Sequence, residues 1–287
     1  MVNSFNKRES IILRIRNYYP SFTKKEKKVA DVVLEKAHEI VYLSITEFAE
    51  VCNVSETTVV RLCFRLKISG YQEFKLLLAQ DTVLPEENLH EKLELEDDIS
   101  VLAKKVTNEN IQAINNTMRI FSPQELKKAV DVLINANHIE IYGVGASGYS
   151  ALAAGFELKR LGLYVNAYID PHIQAMSASL LTEKDAVIGI SHTGSTRDTI
   201  DSLKVAKKAG ASIICITNHS KSPITRYADI MLLTSVVETP LRSGALTSRM
   251  AQLHVIDLLH TSIALQIKEK AFQNINKTAE AVLNKLY

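Results

Sequence analysis

Residues 43–66 read LSITEFAEVCNVSETTVVRLCFRL, and this stretch predicts two short helices joined by a tight turn. Ser44 and Glu47 have the spacing of a capping box, which marks the start of the first helix. Ser55 is a residue type that begins helices, and the apolar positions after it recur at helical spacing. Between them, Asn53 tolerates a left-handed backbone. We therefore expect a helix-turn-helix whose second helix buries Val59, Leu62, Cys63 and Leu66.

The opposite face of the second helix carries hydroxyl and guanidinium groups. Hydroxyls near a helix start can reach phosphates or base edges, and arginine can pair with guanine or neutralise phosphate charge. This arrangement favours DNA binding, although an ordinary helical hairpin with a solvated basic face fits the same pattern. The outward residues are Thr57, Thr58, Arg61 and Arg65, and lysines that can add phosphate contacts are Lys24, Lys25, Lys27, Lys28, Lys67 and Lys75.

The balance of charge divides the chain into three regions. Residues 1–80 contain 13 Lys or Arg against 9 Asp or Glu and a single glycine, which predicts a basic all-helical domain. Residues 81–98 contain eight acidic residues and one lysine, which predicts an acidic linker over 81–105, with an acidic helix face as the alternative. We expect residues 106–287 to form a second domain.

In that second domain, short apolar runs alternate with helical patterns. Such alternation predicts an α/β domain with a parallel sheet flanked by helices. Ser122-Pro123 opens one predicted helix with a capping pattern, and a long helix is predicted over 245–268. The predicted strands are residues 138–142, 163–169, 186–190, 212–217 and 230–234.

Two glycine-containing loops follow predicted strands. The first, Gly143–Gly148, has the spacing G-x-G-x-x-G that is typical of dinucleotide-binding folds, and Asp170 is placed to contact a ribose. The second, Ser191–Thr196, gathers hydroxyl groups at the start of a helix, where free backbone N–H groups favour an anion. Each loop alone fits an ordinary turn. Together, at the ends of two strands, they favour a compact phosphate over an extended dinucleotide.

Both regions resemble known families. Residues 43–66, with Ser69-Gly70-Tyr71-Gln72-Glu73-Phe74-Lys75 after them, resemble the DNA-binding domain of the RpiR family. That family usually has glycine in the turn and after Leu66, where this chain has Asn53 and Lys67-Ile68. The loop at 191–196 resembles the Ser-x-Ser-Gly-x-Thr loop of the sugar isomerase (SIS) domain, with Thr193 in place of the commoner serine.

The resemblance implies roles for individual residues. A sugar phosphate would be bound by Ser147, Ser191, Thr193 and Thr196, with His192 and Ser195 lining the site and Glu238 meeting sugar hydroxyls. Operator DNA would be contacted by Ser55, Thr57, Thr58, Arg61, Arg65 and Lys67.

The function implied is a transcriptional regulator, by default a repressor, of carbohydrate or amino-sugar genes. We expect it to act as a homodimer or homotetramer and to use no catalytic residue and no cofactor. Amino-sugar phosphates and disaccharide phosphates are both compatible with the family. One alternative is an isomerase-like enzyme, in which Glu238, His192 and His172 supply acid and base. The other is a repressor that senses NAD(H).

The composition of the chain narrows the setting in which it works. The net charge is +2, and no apolar run reaches the ~18 residues that a membrane span needs. The polar start has no secretory signal, and the three scattered cysteines fit buried thiols. No His, Cys or carboxylate spacing indicates a metal site. We therefore expect a cytoplasmic protein without a membrane partner.

Overall fold

The computed structural model describes residues 10–82, 98–236 and 246–285. Contacts divide the chain into two compact units that part between Asn108 and Glu109. Most of the predicted acidic linker, residues 83–97, lies outside the described residues. No helix within the described ranges is long and apolar enough to cross a membrane.

The N-terminal unit is helical, as the sequence predicts, and its described residues form no strand. Its helices enclose a single apolar core, in which the rings of Phe48, Tyr71 and Phe74 stack on one another. The helices are α1 (Ile11–Tyr18), α2 (Lys24–Ile40), α3 (Ile45–Val51), α4 (Glu56–Arg65) and α5 (Tyr71–Thr82).

Helices α3 and α4 end in the same way. Each is followed by a residue with positive φ, Asn53 at 50° and Lys67 at 58°. After each of these, a backbone N–H reaches back five residues, from Val54 to the Ala49 carbonyl and from Ile68 to the Cys63 carbonyl, both at 2.9 Å. This is the Schellman arrangement, which satisfies carbonyls left unpaired at a helix end. Asn53 and Lys67 are therefore the two left-handed positions among the described residues of the N-terminal unit, and they lie in the turn and directly after Leu66, where the resembled family usually has glycine.

The C-terminal unit contains five parallel strands in the order β2-β1-β3-β4-β5. The strands are β1 (Ile139–Tyr142), β2 (Val165–Tyr168), β3 (Ala186–Ile190), β4 (Ser212–Thr217) and β5 (Ile230–Leu233). Helix α6 (Ile99–Arg119) contains the boundary between the units, and the helices that lie wholly in the C-terminal unit are α7 (Pro123–Asn135), α8 (Ala146–Arg160), α9 (Pro171–Ala178), α10 (Arg197–Ala209) and α11 (Leu246–Glu280).

Alternate residues of each strand supply two separate cores. Ile139, Ile141 and Ile188 pack with α7, α8 and α11 on one side of the sheet. Tyr142 and Val187 pack with α9 and α10 on the other. Because successive side chains of a strand point to opposite faces, short strands buried on both faces read as continuous apolar runs.

Two helix boundaries differ from the sequence prediction. Helix α8 begins at Ala146, inside the stretch read as a turn, because Gly145 alone makes the bend with φ +58°. Helix α11 continues to Glu280, past a kink at Lys268. After that kink, Asn274 Nδ2 donates to the Leu161 carbonyl at 3.0 Å, beside Gly162.

All three cysteines are buried thiols. Burial raises the pKa of Cys52, Cys63 and Cys215 to about 12. The described residues contain no cluster of His, Cys, Asp and Glu that could hold a metal ion.

Candidate functional site

The strand order places both glycine-containing loops at one point of the sheet. Strands β1 and β3 are neighbours, and the chain leaves β1 for α8 on one face and β3 for α10 on the other. The loops after these two strands therefore separate and leave a crevice beyond the carboxyl ends of the strands. In open parallel sheets this switch point is where ligands bind.

The loop after β1 is shaped by close backbone contacts. A Cβ added to Gly143 would lie 2.6 Å from the Ser147 carbonyl oxygen, so only glycine fits there. The Gly143 carbonyl accepts a hydrogen bond at 3.1 Å from Gln174 Nε2, which also donates to the Tyr168 carbonyl at 2.8 Å. Gln174 is fully buried. It thus ties the loop to β2 and α9, a role that the sequence pattern did not reveal.

The loop after β3 is held by the strand beside it. Ser191 N–H donates to the Ile216 carbonyl at 3.0 Å, and the His192 carbonyl accepts from Asn218 N–H at 3.0 Å. Gly194 has φ +62°, and a Cβ there would lie 2.1 Å from Ser222 Oγ. A side chain at this position would strain the backbone, because its φ is positive, and would clash with the buried Ser222.

The hydroxyl groups of this second loop are close together. Ser191 Oγ lies 2.9 Å from Thr196 Oγ1, and Thr193 Oγ1 accepts from Ser195 N–H at 3.2 Å. Ser191 is 1% exposed, whereas the other three are half-buried. Four hydroxyl groups thus gather beside the first turn of α10.

Neither helix at the crevice is capped by its own side chain. Gly145 precedes α8 and has no side chain, and Thr196 precedes α10 but makes no capping hydrogen bond. The first N–H groups of a helix have no partner within the helix and carry partial positive charge. The arrangement rules out ordinary N-capping for both loops and leaves two helix starts able to accept an anion.

The remaining sequence candidates are placed differently. Asp170 Oδ1 accepts from Ile173 N–H at 2.9 Å and so caps α9, which explains this acid without a ribose. His172 is exposed in the first turn of α9. Glu238 lies outside the described residues. Gln252 of α11 was not predicted, although it donates to Ser147 Oγ.

The N-terminal unit presents part of the predicted DNA-binding face. Thr57 and Arg61 of α4 are exposed, as is Lys67. Ser55 is exposed as well, but its hydroxyl caps α4 by accepting from Thr58 N–H at 3.3 Å. The Thr58 hydroxyl lies 3.0 Å from that of Ser55. Phe64, which the sequence analysis did not single out, is 59% exposed on the same helix.

Arg65 does not simply point outward. Its Nη1 lies 2.6 Å from Glu26 Oε2 and donates to the Ser21 carbonyl at 3.2 Å. Burial alone would raise the pKa of Glu26, but hydrogen bonds from Thr23 and the charge of Arg65 lower this pKa overall. Arg65 therefore fastens α4 to the start of α2, where Lys24 and Lys25 are exposed.

Lys75 is buried, so its predicted phosphate contact is wrong. It is 7% exposed, and its Nζ donates to the Leu43 carbonyl at 2.9 Å. Tyr71 Oη donates to the same carbonyl at 3.2 Å. Burial lowers the pKa of Lys75 to about 8. The motif after α4 thus fixes the chain just before the capping residue of α3.

Comparison with known proteins covers both units. Residues 10–83 match the helix-turn-helix domain of the rpiR family, and residues 132–262 match the SIS domain. An uncharacterised HTH-type transcriptional regulator of Caldanaerobacter subterraneus is 36% identical over 272 residues, which cover 95% of this chain and 96% of the relative. The chain belongs to the RpiR family of transcriptional regulators.

Solved structures carry the same arrangement. The NanR protein of Vibrio vulnificus, complexed with ManNAc-6P, has a TM-score of 0.84 and 28% identity, over 96% of this chain and 98% of NanR. The sugar isomerase domain of an RpiR transcription factor from Sphaerobacter thermophilus has a TM-score of 0.58 and 26% identity, over 62% of this chain and 98% of that domain. This RpiR regulator therefore combines a helix-turn-helix with a SIS domain, as its sequence predicts.

Proposed function

We propose that the chain represses genes of carbohydrate or amino-sugar metabolism and is controlled by a phosphorylated sugar bound between the loops after β1 and β3. The observation that carries this proposal is the pair of uncapped helix starts at the switch point of the sheet. A phosphate offers only acceptors at its anionic oxygens, and this crevice offers backbone N–H groups and hydroxyls. The NanR complex with ManNAc-6P supports an amino-sugar phosphate as the first compound to test.

Calorimetry with full-length protein tests the effector. We expect N-acetylmannosamine 6-phosphate or another hexosamine 6-phosphate to bind, and Ser191→Ala to weaken that binding about tenfold or more, since a hydrogen bond to a charged group contributes about 1.5–3 kcal/mol. Ser179→Ala, which alters an exposed hydroxyl at the end of α9, is the matched control. If NADH binds tightly and no sugar phosphate binds, the proposal fails.

The proposal includes binding without turnover. Its support is that relatives sharing nearly the whole chain are named transcriptional regulators. Incubation with hexose phosphates, followed by NMR, should show no conversion. Steady turnover at about 1 s⁻¹ or faster would instead favour the isomerase alternative.

On the DNA side, we propose that α4 enters the major groove. Thr57 and Arg61 support this because they are exposed on one face of a helix whose other face is buried. Arg61→Ala should weaken binding to an operator selected from random duplexes by about 10–100-fold. Arg119→Ala, an exposed arginine of α6, should leave it unchanged. Normal operator binding by Arg61→Ala would refute the groove assignment.

We further propose a homodimer, since one helix-turn-helix reads only a half-site. Support comes from exposed apolar side chains on the two elements that flank the edge strand β2 from opposite faces of the sheet, hereafter the β2-edge face. It consists of Tyr149, Leu152 and Phe156 on α8 with Ile173, Met176 and Leu180 on and after α9. Residues 146–156 and 171–181 contain no Asp, Glu, Lys or Arg. An apolar surface without charges can be buried against the same surface of a second copy without charge repulsion. It offers no ion pair to a charged partner.

Sedimentation velocity tests the dimer. Phe156, 63% exposed on the β2-edge face, and Phe272, 67% exposed on α11, form a matched pair. Phe156→Glu should produce monomers, and Phe272→Glu should sediment as the unaltered chain does. An unaltered chain that is monomeric at micromolar concentration would overturn the proposal.

A further inference from the structure

Ser147, in the first turn of α8, is hydrogen-bonded to Gln252, a residue more than one hundred positions away in the chain. Gln252 of α11 donates through Nε2 to Ser147 Oγ at 3.2 Å. The Oε1 atom of the same amide accepts from Ser150 Oγ at 2.7 Å. Gln252 is 2% exposed and Ser150 is fully buried. The amide of Gln252 therefore joins two serines of one helix, and both of its ends are used.

The chemistry of these groups fixes the direction of each hydrogen bond. An amide nitrogen can only donate, so the Ser147 oxygen is the acceptor in its bond with Gln252. The hydroxyl hydrogen of Ser147 then remains available for another partner. In this orientation of the amide, Ser150 donates to Oε1 at its other end, which leaves Nε2 facing Ser147. The result is a hydroxyl held as a donor at the uncapped start of α8.

The Gln252 side chain is uncharged, and this affects anion binding as much as the direction of its hydrogen bond to Ser147 does. A carboxylate of similar size would accept from Ser147 and would place a negative charge beside any bound anion. A lysine would supply a cation, but the amide supplies only orientation. A hydroxyl that is already oriented loses less freedom on binding than one that rotates.

We infer that Gln252 is a positioning residue, which holds Ser147 as a hydrogen-bond donor to the phosphate of the effector. This inference rests on the proposed function, because it assigns Ser147 to the phosphate. Through Gln252, the start of α8 is hydrogen-bonded to the first half of α11.

A double-mutant cycle on full-length protein tests the inference. Binding of inorganic phosphate and of N-acetylmannosamine 6-phosphate is measured by calorimetry for Gln252→Met, Ser147→Ala and the double variant. We expect each single variant to bind about 5–20-fold more weakly, and the double variant to bind no more weakly than Ser147→Ala. Gln252→Glu should lose more affinity than Gln252→Met. Gln273→Met, exposed on the same helix, is the control.

A purely structural role for Gln252 gives a different result. If the residue only packs, Gln252→Met should weaken binding by the same factor with or without the Ser147 hydroxyl, and that outcome overturns the inference. Unaltered affinity in Gln252→Met overturns it as well. If Gln252→Met does not fold, Ser150→Ala replaces it, since it removes the group that orients the amide, and unchanged affinity there is again contrary. Absence of any phosphate binding by the unaltered chain would instead refute the proposed function.

Discussion

The helices of the two units begin in different ways. In the N-terminal unit, Ser10, Thr23, Ser44 and Ser55 each place a side-chain oxygen on a backbone N–H of the first turn. In the C-terminal unit, Ser122 and Asp170 do the same for α7 and α9, yet α8 and α10 begin uncapped. A closed helix start stabilises the fold by itself, and an open one leaves donors for a ligand.

The units also differ in how they use left-handed backbone. Asn53 and Lys67 adopt positive φ without being glycine, because each only ends a helix at the surface. Gly194 adopts the same region where no side chain fits. The same conformation is thus tolerated at two helix ends of the N-terminal unit and strictly required in the loop after β3.

The largest effect is expected at Gly194. Gly194→Ala should lower the free energy of unfolding of the C-terminal unit by about 2–4 kcal/mol and abolish effector binding, since its Cβ meets Ser222. Urea titration and calorimetry measure the two effects. Adding Ser222→Gly should restore part of the stability. Gly70→Ala, where nothing lies within 4 Å of the added Cβ, should change stability by less than about 0.5 kcal/mol. Equal effects at the two glycines would contradict this account.

Next in size is the contrast between a closed and an open helix start. Ser44→Ala removes a capping side chain and should cost about 1–2 kcal/mol of stability without changing effector affinity. Thr196→Ala removes a hydroxyl that caps nothing, so it should cost less stability but weaken effector binding about tenfold. Thermal unfolding and calorimetry on both variants separate the two roles. If Thr196→Ala proves as destabilising as Ser44→Ala, the distinction between a capped and an uncapped helix start is wrong.

A smaller effect depends on pH and on one buried amine. The pKa of Lys75 is lowered to about 8, from 10.5 in the unfolded chain. The unfolded state therefore binds more protons above about pH 8, so this group makes the N-terminal unit more stable as pH rises. Between about pH 7.5 and about pH 9 the gain should be about 1 kcal/mol, measured by urea titration. Lys75→Met should lack this rise; the same slope in both proteins would show that the amine is not the cause. In the unfolded state the thiols of Cys52 and Cys63 ionise around pH 9 and oppose this trend within the same window, so the gain from Lys75 is taken as the difference between the unaltered chain and Lys75→Met.

The smallest effect is expected at Lys67. Lys67→Gly relieves a left-handed lysine and should add about 0.5 kcal/mol to stability. Operator binding should weaken modestly and its salt dependence should decrease by about one unit, if Lys67 contacts a phosphate. We therefore expect Lys67→Gly to raise stability and to lower affinity for the operator. Asn53→Gly, at the equivalent position after α3, should change stability less.

Local chemistry made much of the fold predictable. The capping box of Ser44 and Glu47, the cap at Ser55 and the Ser122-Pro123 helix start are all present. Strands β3 and β4 occupy the predicted residues because each has a short run of apolar residues that ends at a loop rich in polar residues. The start of α8 was misplaced because its first residues include glycines, which carry no helical signal.

Features that join distant residues escaped prediction. Glu26 and Arg65 are 39 positions apart, and Ser147 and Gln252 are 105 apart, so no spacing reveals either pair. Lysine is a residue type usually found at the surface, and the burial of Lys75 beside Tyr71 depends on tertiary packing that its sequence position does not reveal. Strand order, which brings the two loops together, is likewise a property of tertiary packing.

The three buried thiols can report local unfolding of the protein without any added label. A pKa of about 12 leaves about one thiolate in 10⁵ at neutral pH, so an alkylating reagent reacts only when a thiol is transiently uncovered. Cys52 and Cys63 lie in the N-terminal unit and Cys215 in the C-terminal unit. Pulsed alkylation with peptide mass spectrometry should therefore time the opening of each unit separately, in one unmodified sample, with and without effector.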